Sequence, residues 1–194
     1  LFYASLKLKA DRDVVLEAVK QDGFALEYAP ELQNDKEIVL EAVQQNRFAL
    51  MFAHRDLVLE AVKQNGSMLR CVSEDLKGNT DFILAAVKQN GLALQFVIEV
   101  FRVDREIVLN AVKQNGLALQ YASKELTADR EIVSEAVKQN GEALAYASDE
   151  LRNDPKIMFN ALTTPSNTKK LEDPSNSSSS GSNIKTKKTT SPKI

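Results

Sequence analysis

Two stretches of this chain are near copies of one another. Residues 104–123 read DREIVLNAVKQNGLALQYAS and residues 129–148 read DREIVSEAVKQNGEALAYAS. The pattern recurs along most of the sequence. An alanine marks its centre at Ala18, Ala42, Ala61, Ala86, Ala111, Ala136 and Ala161, at intervals of 24, 19, 25, 25, 25 and 25 residues. A fixed period restricts the fold to a stacked array, because a unit of about 25 residues buries too little apolar surface alone and must share a core with its neighbours. The array is expected to span residues 1–162 as about six repeats, partial at both ends. Tyr3-Ala4-Ser5 matches Tyr121-Ala122-Ser123, and 154–162 is the first half of a unit. An opening inside a repeat, with no initiator Met, is expected of a piece of a longer protein.

Within a unit the apolar residues keep helical spacing. Ile107, Val108, Ala111 and Val112 form a stripe of period 3.6, which predicts a first helix from about Asp104 to Asn115. Asp104 suits the N-cap and Glu106 the first turn. Lys113 suits the last turn, and Asn115-Gly116 is expected to end the helix with a left-handed residue. Glu60–Lys63 and Glu135–Lys138 are placed to pair on the wet face. A second, shorter helix is predicted over 117–122. Ser123 then caps a tight turn that drops one apolar anchor inward, at Leu8, Leu32, Leu76, Phe101, Leu126 or Leu151. The small central alanines let helices approach closely. The recurring aromatic, Tyr28, Phe52, Phe96, Tyr121 or Tyr146, is expected to fill the space between units. The fold class that follows is all-α, an α-solenoid of stacked helix-turn-helix repeats. A leucine-rich repeat would need a Leu-x-x-Leu-x-Leu strand, and the helical tetratricopeptide and ankyrin periods are longer.

The recurring unit, from the Asp-Arg-Glu-Ile-Val-Leu start through Ala-Val-Lys-Gln-Asn-Gly to Tyr-Ala-Ser, resembles the repeat of the "domain of unknown function 4116" family. The resemblance covers roughly residues 1–162. It implies the array and no established activity. Three departures fall close together: Arg47 stands where the repeat has Gly, Cys71 where it has an aromatic, and the connector around Ala53-His54-Arg55-Asp56-Leu57 is short. They are expected to disturb the stack around residues 44–72.

Composition supplies little chemistry. One Cys and one His leave almost no raw material for a zinc site or a Cys-His nucleophile pair. Cys71 reads as a buried thiol, His54 as a loop or cap residue, and Gly78 as a turn residue outside any phosphate loop. No paired carboxylates recur. No catalytic, metal-binding or cofactor-binding residue is therefore assigned, and no cofactor is called for. Lys-Gln-Asn-Gly recurs at 63–66, 88–91, 113–116 and 138–141. It reads as a helix end, with a polar ladder for extended ligands as the alternative. The chain carries a net charge of −2; residues 163–194 hold six Lys against Glu172 and Asp173, a net +4, which leaves the body at −6. An acidic body argues against nucleic acid, which needs clustered Lys and Arg. A base-reading array would vary two side chains per unit. The candidate positions are Phe24, Phe48, Ser67, Leu92, Leu117 and Glu142, with Glu27, Met51, Arg70, Gln95, Gln120 and Ala145, and they are mostly apolar or neutral.

From Thr163 the sequence turns polar, with a Ser-rich run and Lys185–Lys188, and residues 163–194 are expected to be a disordered tail. Lys185–Lys188 and Ser191-Pro192 read as linker, with targeting and phosphorylation as the alternatives. No apolar run reaches the roughly 18 residues of a membrane helix, and a lone Cys fits an intracellular, by default cytoplasmic, home, with export as an effector left open. The expected function is a non-enzymatic protein-binding scaffold with a protein or peptide partner. The alternatives are an array serving a catalytic domain elsewhere, and nucleic-acid binding aided by the basic tail.

Overall fold

A computed structural model describes residues 1–164. The expected disordered tail, the lysine cluster at 185–188 and the Ser191-Pro192 site lie outside the described residues, apart from residues 163 and 164. Every described element is helical. Seven α-helices form one layer: α1 Arg12–Gln21, α2 Lys36–Gln45, α3 Arg55–Gln64, α4 Thr80–Gln89, α5 Arg105–Gln114, α6 Arg130–Gln139 and α7 Pro155–Thr163. Helix α7 runs one residue past the expected end of the array at 162, and Thr164 is buried with its Oγ1 donating to the Ala161 carbonyl at 2.6 Å.

A second layer is made of six-residue helices that follow α1 to α6. The sequence suggested α-helices here, but they are 3₁₀: Gly23–Tyr28, Arg47–Phe52, Gly66–Cys71, Gly91–Phe96, Gly116–Tyr121 and Gly141–Tyr146. Such runs are long for a 3₁₀-helix. Each starts from a side-chain cap; the Asn115 carboxamide oxygen accepts from Leu117 N at 3.0 Å. A short third element then leads to the next α-helix. Ser123 and Ser148 cap Lys124–Thr127 and Asp149–Arg152 as expected, accepting from Leu126 N and Leu151 N. Of the predicted anchors, Leu126 and Leu151 are buried, Leu32, Leu76 and Phe101 are half-buried, and Leu8 is exposed.

The core lies between the two layers. Ile and Val from the α-layer (Ile107, Val108, Val112) meet Ala and Leu from the 3₁₀ layer (Ala118, Leu119), all fully buried. The recurring aromatic does not fill this core: Tyr28, Phe52, Phe96 and Tyr121 are half-buried and Tyr146 is exposed. A six-residue 3₁₀-helix turns its Ala and Leu inward and leaves the bulkier ring at its rim.

Asn115-Gly116 also departs from expectation. Asn115 sits at φ −149°, ψ 111°, and no described residue, glycine included, has a positive φ. The Asn ends one helix and caps the next in extended backbone, so no left-handed residue is needed.

Candidate functional site

Three features join one unit to the next. The glycine opening each 3₁₀-helix faces the central alanine of the following unit. A Cβ added at Gly23, Gly66, Gly91 or Gly116 would come closer than 3.0 Å to the carbonyl oxygen of Ala42, Ala86, Ala111 or Ala136. Only hydrogen fits there, which explains why the Gly recurs. The Gln of Lys-Gln-Asn-Gly bridges the same seam. Gln114 Oε1 accepts from Gly91 N at 2.5 Å and its Nε2 donates to the Gln89 carbonyl at 3.2 Å. Gln89 makes the same pair of bonds to Gly66 and Gln64, and Gln139 to Gly116 and Gln114. These amides are thus joined to the preceding unit and are not an open ladder. The third feature is an arginine clip on the outer rim. Arg105 reaches Asp129 and Glu131 of the next helix start, Arg12 reaches Asp35 and Glu37, and Arg130 reaches Asp154. The Ile132 N–H, with Glu131 N–H and Arg105, holds the Asp129 carboxyl below the usual aspartate range.

All three features fail together at the junction of α2 and α3; singly, the Gln bridge is also missing at α1–α2, where Gln45 Nε2 donates to Glu41, and the arginine clip at α3–α4 and α4–α5, where Arg55 lies over the Phe82 ring and Thr80 takes the arginine position. Arg47 brings a Cβ where the other seams admit only hydrogen, so α3 cannot close onto the second 3₁₀-helix. Gln64 Nε2 donates to Glu60 on its own helix at 3.4 Å. Lys36, at the arginine position, reaches Glu60 at 2.7 Å in place of a helix start. The shortened connector adds to this. His54 takes the place of Ser123, its N–H donating to the Gln33 carbonyl at 2.8 Å, and it is also the N-cap of α3, with Nδ1 accepting from Asp56 N at 3.5 Å. One residue does two jobs, and the short third element is gone.

The result is a cleft between α2 and α3 with a cavity volume of about 160 Å³, lined by Val39, Leu40, Val43, Leu50, Leu57 and Ala61 and rimmed by Lys36, Glu60 and Gln64. Its walls are positions that other units bury. Leu57 is half-buried, whereas its counterparts Phe82, Ile107 and Ile132 are 0 % exposed. Ala61 and Val43 are half-buried where Ala111 and Val112 are fully buried, and Leu40 is 50 % exposed. The buried core divides at the same place, into Val15 to Ala49 and Leu50 to Ala161. The expected disturbance at 44–72 is therefore a parted seam. Glu135–Lys138 pair at 3.5 Å, but Glu60 turns from Lys63 to Lys36. Cys71 is buried, and burial pushes its thiol pKa up. On the opposite, 3₁₀ face Arg70 lies over the rings of Phe48 and Phe96 at 5.6 and 5.8 Å. No cluster of three His, Cys, Asp or Glu able to hold a metal occurs among the described residues, and none of the described helices is long and apolar enough to cross a membrane.

Family comparison agrees with the repeat geometry. The model described as Domain of unknown function (DUF4116) matches residues 1–32, 11–55, 54–102, 81–127, 104–152 and 129–168. This chain belongs to the DUF4116 family. Comparison with curated proteins and with solved structures returns no match. In this chain the repeated unit is a helix, a 3₁₀-helix and a short connector. The parted seam at residues 45–64 departs from the other seams of this chain. Nothing in the sequence pattern marked Leu40 and Val43, and Leu57 stood out only as part of the short connector. The 19-residue interval and Arg47 were the signal, since both fall on the same junction.

Proposed function

We propose that this chain is a non-enzymatic protein-binding scaffold whose α2–α3 cleft seats one large apolar side chain of a partner. The cleft itself carries the reading. A cavity of about 150 Å³ with apolar walls takes a benzene-sized group, and burying a Leu or Phe side chain is worth about 1.5–3 kcal/mol. At the other internal seams the units satisfy one another's apolar faces, so this seam leaves surface of core character open. The residues best suited to chemistry are already occupied structurally: His54 caps a helix, Cys71 is buried and Asp129 caps α6. An intracellular home is part of the proposal, supported by a fold that rests on no disulfide.

Selection from a displayed random-peptide library tests the proposal, with a cleft-filled variant, Val43→Phe, as counter-target. Peptides with one large apolar residue should be enriched and should lose affinity for V43F. Enriched peptides that bind V43F as tightly as the parent would defeat the assignment.

A further inference from the structure

Each α-helix from α3 to α6 carries a lysine in its last turn, Lys63, Lys88, Lys113 and Lys138, as does α1 with Lys20. A last-turn lysine offsets the helix dipole and by that role needs no partner. The outer copies are nevertheless neutralised: Lys20 pairs with Glu17 at 2.6 Å and Lys138 with Glu135 at 3.5 Å. The three middle copies differ. Glu60, the residue that would pair with Lys63, is turned across the cleft to Lys36. Lys88 has Ala85 at the corresponding position. Lys113 has Asn110, whose amide donates to the Glu106 carbonyl at 2.8 Å. Lys63, Lys88 and Lys113 are exposed, and none has an ion pair among the described residues.

Between the first two lies a shallow groove, with Leu59, Leu84 and Ala85 along it and Lys63 and Lys88 on its flanks. Its acid, Asp81, is seven residues before Lys88, about 10 Å along the helix. Helix α3 separates this groove from the cleft: Leu57, Glu60 and Ala61 line the cleft, while Leu59 and Lys63 line the groove. The two depressions are the two sides of one helix, and the lysines continue outward from the cleft in array order.

We propose that this surface binds an extended acidic peptide segment, with an apolar residue in the cleft and carboxylates following over Lys63, Lys88 and Lys113. The proposal rests on the cleft reading and names its partner. Two arguments carry it. Lys63 and Lys88 flank an apolar floor and Lys113 continues the row, and three successive lysines without an ion pair among the described residues are complementary to carboxylates. The spacing also fits: packed helices stand about 8–10 Å apart, and three extended residues span about 10 Å, so an acid at every third position meets each lysine in turn.

Fluorescence anisotropy on the intact chain tests this with a labelled synthetic peptide: Phe, then Glu at every third position three times, Ser elsewhere. Two controls replace Glu by Lys, or Phe by Ser. The acidic peptide should bind, weaken as salt rises, and lose about ten-fold affinity to the double variant K88E/K113E. The neutralised pair K88Q/K113Q should lose less. Both lysines are exposed, so circular dichroism should show the parent fold. The proposal is overturned if K88E/K113E binds as well as the parent, or if the Lys peptide binds as well as the Glu peptide. If the Phe-to-Ser change alone abolishes that charge-independent binding, the cleft reading survives. Absence of binding by any peptide overturns both. A short oligothymidylate that binds more tightly than the acidic peptide would make the lysine row a nucleic-acid surface and overturn the peptide assignment.

Discussion

Replacing Gly116 by asparagine, with alanine beside it, separates the two explanations of the recurring glycine. If the glycine supplied a left-handed helix end, Gly116→Asn would be tolerated, because Asn adopts that conformation readily. The structure puts the cause in the neighbouring unit. A Cβ at Gly116 would lie within 3.0 Å of the Ala136 carbonyl oxygen and at 3.1 Å from both Ala136 C and Asn140 N. All three are backbone atoms, so no side-chain rotation relieves the contact and the sixth unit must move away. Overpacking of this kind costs about 1–3 kcal/mol. The shift also stretches the bond from Gly116 N to Gln139 Oε1, now 2.6 Å, and a lost hydrogen bond adds about 1 kcal/mol. The expected total is about 2–4 kcal/mol for Gly116→Ala, and at least as much for Gly116→Asn. Gly78→Ala is the internal control: φ is −80° there and the nearest backbone atom to a Cβ would be Asp75 O at 3.6 Å. That change should be neutral or stabilising by up to about 1 kcal/mol, through the unfolded chain. Urea unfolding followed by circular dichroism measures all three. A Gly116→Asn variant as stable as the parent would refute the steric argument.

Gln114→Ala should cost about 1–3 kcal/mol, since it leaves the amide of the buried Gly91 without its side-chain acceptor; faster hydrogen exchange at Gly91 N is the local readout. Asp129 has a lowered native pKa, so the unfolded chain takes up its proton first as pH falls, and the stability present above the ordinary aspartate range is lost on passing through the lowered native value. Asp129→Asn keeps the cap acceptor and should flatten that acid dependence, measured as urea midpoints at neutral and acidic pH. Cys71 should react with a thiol reagent slowly in the folded chain and quickly in denaturant, because burial disfavours the thiolate; equal rates would contradict its placement. Native-state hydrogen exchange should resolve two cooperative blocks that divide between Ala49 and Leu50, where the two buried clusters part.

Much of the architecture was legible in the residues. The Ile107-Val108-Ala111-Val112 stripe located α5 to within a residue at each end, and Asp104 and Ser123 cap as their types require. What escaped was the handling of the chain after each helix. Periodicity over 117–122 is too short to separate 3.0 from 3.6 residues per turn, so the 3₁₀-helix read as an α-helix. Asn115-Gly116 carries the residue types of a left-handed cap, and the contact that selects the glycine, Ala136 O, lies twenty residues on. The function of Gln114 depends likewise on Gly91 and Gln89 of the preceding unit. These are between-unit constraints, and a motif read within one unit cannot display them.

The same logic explains why the candidate site appears where the rules lapse. In a regular seam the Gly–Ala contact draws two α-helices together, and Val112 and Ile132 then have no exposed surface to offer a partner. A repeat that stacks well is, on that face, saturated by its neighbours. Arg47 and the shortened connector remove the close contact at one seam. Val43 and Leu57 keep the apolar character of core positions but lose their cover, beside the exposed Leu40. The Lys36–Glu60 pair that spans the opening then takes away the acid that would have neutralised Lys63. One irregularity thus generates both halves of the surface, an apolar seat and the first uncompensated charge beside it. Restoring the regular seam should remove both together: Arg47→Gly with a full-length connector would let α3 close, bury Leu57 and return Glu60 to Lys63. If that repaired chain still bound the acidic peptide with parental affinity, the link between the broken seam and recognition would be lost.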